Sequence, residues 1–74
     1  MKSVANEPLR DRLARNVKTL RGAKQWSQEA LAEAAGLSQV YVSNIETSRK
    51  AASIDVLQKL ALAFSVDARD LLSD

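Results

Sequence analysis

The chain has 74 residues, enough for one domain with a modest core, and no run of apolar residues long enough to span a membrane. It contains no cysteine and no histidine, which excludes disulfides and thiolate metal sites and removes the commonest general base and metal ligand. Net charge is +2 but uneven: residues 1–50 hold nine basic and five acidic side chains, residues 51–74 two and four.

A basic part beside an acidic part predicts that one end of the molecule meets a polyanion; an ordinary mixed surface is the plainer alternative. The first residues, MKSVANEPL, lack a signal-like apolar core, so a cytoplasmic protein is expected. With no His, no Cys and no glycine-rich phosphate loop, no catalytic residue, cofactor or metal is assigned and an enzyme is not expected.

Residues 1–7 read as a flexible extension and 8–74 as a single domain. Pro8 is tolerated in a first helical turn, so a first helix is expected from about Glu7 or Pro8. Leu9, Leu13, Val17 and Leu20 recur at helical spacing and form its expected buried stripe, with Arg10, Arg12, Arg15 and Lys18 away from it. Asp11 and Arg15 stand at i,i+4 and are expected to pair. Trp26 precedes Ser27, and an apolar residue there packs as a hydrophobic staple; stacking on a nucleic-acid base is the alternative.

Ser27 caps a helix through Ala35, with Glu29 in its first turn, and Gly36 can end it in the left-handed conformation. Ser38 caps a second helix, Gln39 to about Glu46. Leu31, Ala32 and Ala35 share a face of the first; Val42 and Ile45 share a face of the second; Leu37 lies in the turn. Two short helices joined this way predict a helix-turn-helix at about 28–46, whose second helix can enter the DNA major groove. The outward positions of that helix are Gln39, Val40, Ser43 and Asn44, the candidate base readers. A glutamine can pair bidentately with adenine, and a valine can touch a thymine methyl or be a plain exposed residue.

Beyond Glu46, Arg49 and Lys50 stand where phosphates are expected to pass. Ser53 caps a fourth helix, Ile54 to about Phe64, with Ile54, Leu57, Leu60, Ala61 and Phe64 as its expected inner face. Asp67 caps a last short helix from Ala68 to about Leu72, and Val66 and Leu71 are expected to fold back on the core. The expected fold is all-α, five helices with short turns.

The run QEALAEAAGLSQVYVSNIE, with the joint spacing of Gln28, Leu31, Ala32, Gly36, Leu37, Val42, Ile45 and Glu46, resembles the Cro/C1-type (lambda-repressor-like, XRE) DNA-binding domain. The resemblance covers roughly Leu13 to Leu72. It implies that Gln28 holds a phosphate and braces the first residue of the recognition helix, where the bland alternative is a solvated glutamine. It also implies that Arg21 and Glu46 pair, with two exposed charges as the alternative. Tyr41 is open between a phosphate hydrogen bond and a ring lying over the fourth helix. Phosphate contacts are thus expected at Ser27, Gln28, Tyr41, Arg49, Lys50 and Lys24. The family usually places glycine two residues after the glutamate; here Ser48 stands there, and a left-handed serine carries a steric cost.

The function expected is a sequence-specific transcriptional regulator, of repressor, controller or antitoxin-like type, bound to double-stranded DNA as a homodimer on a two-fold operator. Leu62, Ala68 and Leu72, apolar and outside the core stripe, are the expected dimer surface. No membrane or small-molecule partner is expected, and control falls to protein concentration or a partner. The alternative is a helical protein-interaction or antitoxin-like module without autonomous DNA binding. The uncharged outer face of helix 39–46 beside basic flanks argues against it, because interaction grooves more often show aromatics or methionines.

Overall fold

The computed structural model describes residues 7–73; of the extension expected at 1–7, residues 1–6 lie outside them. Four α-helices follow in order: α1 Leu9–Ala23, α2 Gln28–Ala35, α3 Gln39–Glu46 and α4 Ile54–Phe64. A 3-10 turn, Ala68–Leu71, takes the place of the expected fifth α-helix. The all-α class and the helix-turn-helix at 28–46 agree with the sequence reading; the count of five α-helices becomes four and a 3-10 turn.

Local chemistry sets where the helices start. Ser27, Ser38 and Ser53 each lend Oγ to the backbone N–H three residues on, at 3.0–3.1 Å, satisfying a donor the helix itself leaves open. Pro8 caps α1 without a side chain, its carbonyl accepting from the N–H groups of Asp11 and Arg12. Asp67 and Asp70 cap the 3-10 turn reciprocally: Asp67 Oδ1 accepts from the Arg69 N–H, Asp70 Oδ2 from the Asp67 N–H.

All four α-helices end alike. A residue in the left-handed region follows each, at Gln25 (φ 59°), Gly36 (φ 71°), Ser48 (φ 63°) and Ser65 (φ 59°). The next N–H then reaches back to the carbonyl five residues earlier: Trp26 to Arg21, Leu37 to Ala32, Arg49 to Asn44 and Val66 to Ala61, at 2.8–3.0 Å. Only one of the four turns uses glycine. Ser48 is left-handed as expected; Gln25 and Ser65 were not foreseen. Trp26, Leu37 and Val66 turn inward onto the core, whereas Arg49 is exposed.

The core is one cluster drawn from every helix: Leu13 and Val17 of α1, Leu31 and Ala32 of α2, Val42 and Ile45 of α3, Leu60 and Phe64 of α4, closed by Leu71. Trp26 packs on it half-buried, stacked on Phe64 of α4 with ring centroids 5.8 Å apart, so Trp26 is a core-packing residue whose ring contact is with α4. Two members of the expected stripes are corrected. Leu9 is 59% exposed because it opens α1 beyond the end of the core, and Ala14 is buried in the same helix instead. Ile54 is 81% exposed because Val56, Leu60 and Phe64 at i, i+4, i+8 centre the inner face of α4 on the far side from it.

Arg15 bonds Glu7 at 2.6 Å rather than the expected Asp11, and Arg12 lies 3.4 Å from the same carboxylate. Glu7, expected in the loose extension, is therefore tied to α1. Arg12 Nη1 also donates to the Leu72 carbonyl, and Asn16 Nδ2 to those of Leu71 and Ser73. These two α1 side chains pin residues 71–73 against the bundle, a clamp without a local sequence signal, since donor and acceptor lie 55–60 residues apart.

Candidate nucleic-acid interface

On α3, Val42, Ile45 and Glu46 face inward and are buried. At 100° per residue the opposite side carries Gln39, Val40, Ser43, Asn44 and Thr47. Gln39 is exposed, Val40 is 70% exposed, and Ser43 and Asn44 are half-buried. The four predicted base readers therefore share one outward surface. Thr47 completes it and was missed, because it follows the last residue of the expected helix. Its Oγ1 donates to the Ser43 carbonyl at 2.9 Å, with the Asn44 carbonyl at 3.3 Å, prolonging the helical edge by one residue.

The inner side of α3 is held by a buried carboxylate. Arg21 grips Glu46 bidentately: Nε donates to Oε2 at 2.7 Å and Nη2 to Oε1 at 3.1 Å. Arg21 Nη1 also donates to the Trp26 carbonyl at 2.9 Å, and Gln28 Nε2 to Glu46 Oε1 at 3.0 Å. The expected pair is present, with side-chain exposures of 23% for Arg21 and 3% for Glu46. Hydrogen bonding to Glu46 holds the Arg21 guanidinium above its ordinary pKa; burial opposes this and the charge of Glu46 adds to it. The carboxylate thus joins the end of α3 to the end of α1 and the start of α2.

Gln28 was expected to brace the first residue of the recognition helix. In the structure its amide serves Glu46, at the other end of α3. The reason is proximity: Glu46 is buried where α1 and α3 meet, and a buried carboxylate needs more than one donor. Tyr41 is half-buried and packed against the core.

Of the basic side chains, Lys24 follows α1, and Arg49 and Lys50 follow α3. Lys24 Nζ lies 5.2 Å from the centre of the Trp26 ring, and the lysine is exposed. Arg49 and Lys50 are exposed, their backbone N–H groups both donating to the Asn44 carbonyl. The Ser27 Oγ is engaged by the Ala30 N–H. Of the expected dimer surface, Leu62 is 71% exposed and Ala68 is exposed. Leu72 is half-buried, packed on the core, and lines an apolar pocket of about 220 Å³ with Leu9, Leu13, Ala52 and Leu57. Among the described residues no helix is long and apolar enough to cross a membrane, and no group of three or more acidic side chains could hold a metal ion.

Comparison with known proteins agrees with this geometry. The helix-turn-helix family HTH_3, of Cro/C1 type, matches residues 17–71. A hypothetical transcription factor of Neisseria meningitidis serogroup B is 41% identical over 66 residues, 89% of this chain; the chain spans 62% of that protein's length. The crystal structure of that factor superposes with a TM-score of 0.87 at 40% identity, over 90% of this chain and 77% of the other. The restriction-modification controller protein C.AhdI from Aeromonas hydrophila superposes with a TM-score of 0.81 at 34% identity, over 84% of this chain and 94% of that one. Control protein C.SmaI of Serratia marcescens is 32% identical over 65 residues, 88% of this chain and 77% of its own length. With its capped α2–α3 pair and this match over most of its length, the chain belongs to the Cro/C1-type helix-turn-helix family of DNA-binding transcriptional regulators.

Proposed function

We propose that the chain is a sequence-specific DNA-binding transcriptional regulator, of small repressor or controller type, that lays α3 in the major groove and acts as a homodimer on a two-fold operator. The observation that carries this reading is the two-sidedness of α3. Its outer side offers amides, a hydroxyl and a valine but no charge, while its inner side is bolted through Glu46. A helix meant to read bases needs that combination: neutral groups able to match edge donors and acceptors, on a support that does not shift when they engage.

Gln39 is the primary reader, paired with an adenine; Val40 meets a thymine methyl; Ser43 and Asn44 add hydrogen bonds. Lys24, Ser27, Gln28 and Tyr41 on one side, Arg49 and Lys50 on the other, hold the phosphates. The N–H groups of α2 that point along its start favour an anion there. Such a protein works in the cytoplasm with its DNA, with no catalytic role, no cofactor and no small-molecule ligand, and is controlled by its own concentration or by a protein partner.

Selection of bound sites from random duplex DNA at 100 mM salt tests the reading, and a two-fold consensus is expected. Six to ten phosphate contacts across a dimer also imply a loss of about 10³–10⁵ in affinity between 50 and 200 mM salt. Lys50→Ala should weaken specific and non-specific sites alike. A selection that enriches no sequence, or binding indifferent to salt, would overturn the proposal.

A further inference from the structure

We infer that Thr47 is a specificity-determining residue that offers DNA a hydrogen-bond acceptor and no donor, and so selects adenine or cytosine on the strand it faces. This rests on the DNA-reading proposal above and adds to it one residue and one class of base.

Thr47 stands in the right place. At about 100° per residue it projects between Ser43 and Val40, on the side of α3 opposite the buried Val42, Ile45 and Glu46. It is exposed. It lies roughly 12 Å along the helix axis from Gln39, too far to share that residue's base pair.

Its hydroxyl has one proton and two lone pairs. The proton is committed, because Oγ1 lies 2.9 Å from the Ser43 carbonyl and 3.3 Å from that of Asn44, and a carbonyl can only accept. The outward side chains of Gln39, Ser43 and Asn44 make no hydrogen bond among the described residues, so of these four polar groups only Thr47 has spent its donor. The main chain there supplies no donor either. The Thr47 N–H goes to the Ser43 carbonyl at 3.0 Å, that of Ser48 to Ile45 at 3.1 Å, and those of Arg49 and Lys50 to Asn44 at 2.8 and 3.2 Å. Every N–H from Thr47 to Lys50 thus turns back on α3.

This inventory decides what Thr47 can meet. A phosphate oxygen only accepts, so phosphates at this end of α3 fall to the Arg49 and Lys50 side chains and find no partner in Thr47. In the major groove guanine and thymine present acceptors, whereas the adenine N6 and cytosine N4 amino groups donate. An amino group is the one match. The resulting signature is a position in each half-site that takes adenine or cytosine and refuses guanine or thymine. A bidentate amide such as Gln39 prefers adenine alone, so the two readers leave different marks.

Site selection with the wild type, Thr47→Ser, which keeps the hydroxyl, and Thr47→Val, which replaces it with a methyl, tests the assignment. The wild type and Thr47→Ser should share the adenine-or-cytosine position. Thr47→Val should lose that preference and keep the rest of the consensus, with a denaturant melt close to wild type, because the Ser43 carbonyl retains the Thr47 N–H. In a single operator, 2-aminopurine in place of adenine at that position moves the amino group to the minor groove and still pairs with thymine. It should cost the wild type and Thr47→Ser roughly fivefold in affinity and Thr47→Val nothing. Identical consensus sequences for the wild type and Thr47→Val, or a Thr47→Val that weakens all sequences alike, would overturn the role of Thr47 and leave the DNA reading intact. If Thr47→Val fails to fold, the analogue on the wild type decides alone, and unchanged affinity there overturns the role. A wild type that enriches no sequence would overturn both readings.

Discussion

Helices α2 and α3 have eight residues each, start with a serine whose Oγ accepts an N–H at 3.0 Å, place glutamine first and end in a left-handed turn. They differ in what holds them. The buried side of α2 is Leu31, Ala32 and Ala35, and the residue after its left-handed Gly36 is Leu37, which turns to the core. The buried side of α3 includes the carboxylate of Glu46, and the residue after its left-handed Ser48 is the exposed Arg49. Apolar contact is tolerant of small rotations, whereas a bidentate guanidinium–carboxylate grip is directional. Helix α2 lends that carboxylate a single donor, Gln28, and is otherwise packed, whereas α3 carries the carboxylate itself and is held by the bidentate grip.

The bolt is where this contrast can be broken most violently. Removing Arg21 leaves a buried carboxylate with Gln28 as its remaining donor, so Arg21→Ala is expected to cost about 3–5 kcal/mol of stability. Removing Glu46 strands a guanidinium that keeps nearly a quarter of its side chain in water, so Glu46→Ala should cost less, about 2–3 kcal/mol. Denaturant melts of the two single variants and the double variant test the order. Equal costs with no coupling would mean that the pair does not join α1 to α3.

The two leading glutamines come next, and they should fail in different assays. Gln39→Ala should keep its melting temperature and lose roughly 1–3 kcal/mol on the cognate site, relaxing the preference at one base pair. Gln28→Ala should lose about 1.5 kcal/mol of folding stability, because its amide serves a buried carboxylate. If Gln39→Ala weakens all sequences equally, Gln39 is a phosphate contact and α3 sits differently in the groove.

The two left-handed turns predict effects of opposite sign. A Cβ at Gly36 would meet nothing within 4 Å, so Gly36→Ala isolates the backbone term and should destabilise by about 1 kcal/mol. Ser48→Gly removes the corresponding clash and should stabilise by up to about 1 kcal/mol, offset in part by the entropy glycine adds to the unfolded chain. Thermal melts that shift both variants the same way would contradict the backbone account.

The smallest effect lies away from both helices. Asp67 is held below the usual aspartate range, first by the Arg69 N–H and then by hydrogen bonding and charge from the Arg69 side chain. A carboxyl lowered in the folded state contributes above its unfolded pKa and loses that contribution as pH falls through the folded one. Below about pH 4 the 3-10 turn should loosen before the helices, seen as shifts of the Arg69 and Asp70 amide resonances. Asp67→Asn should remove that early phase, and its persistence would assign the phase to another carboxyl.

Much of this protein was decided locally. Serine caps and left-handed closures act over three to six residues, so the bounds of α2, α3 and α4 and the helix-turn-helix at 28–46 were legible before any fold was known. The outward set Gln39, Val40, Ser43 and Asn44 followed from periodicity alone, and the Arg21–Glu46 pair from the family resemblance. The tertiary structure decided what depends on distance through space. It exposed Leu9 and Ile54, because a helical stripe tells which residues share a face but not where the core ends. It gave Gln28 to Glu46, Arg15 to Glu7, and Arg12 and Asn16 to the carbonyls of Leu71, Leu72 and Ser73, since a long polar side chain goes to the buried or orphaned group that packing brings near. It also put Gln25 and Ser65 in the left-handed region, where burying the next residue, Trp26 or Val66, outweighed the steric penalty of a side chain.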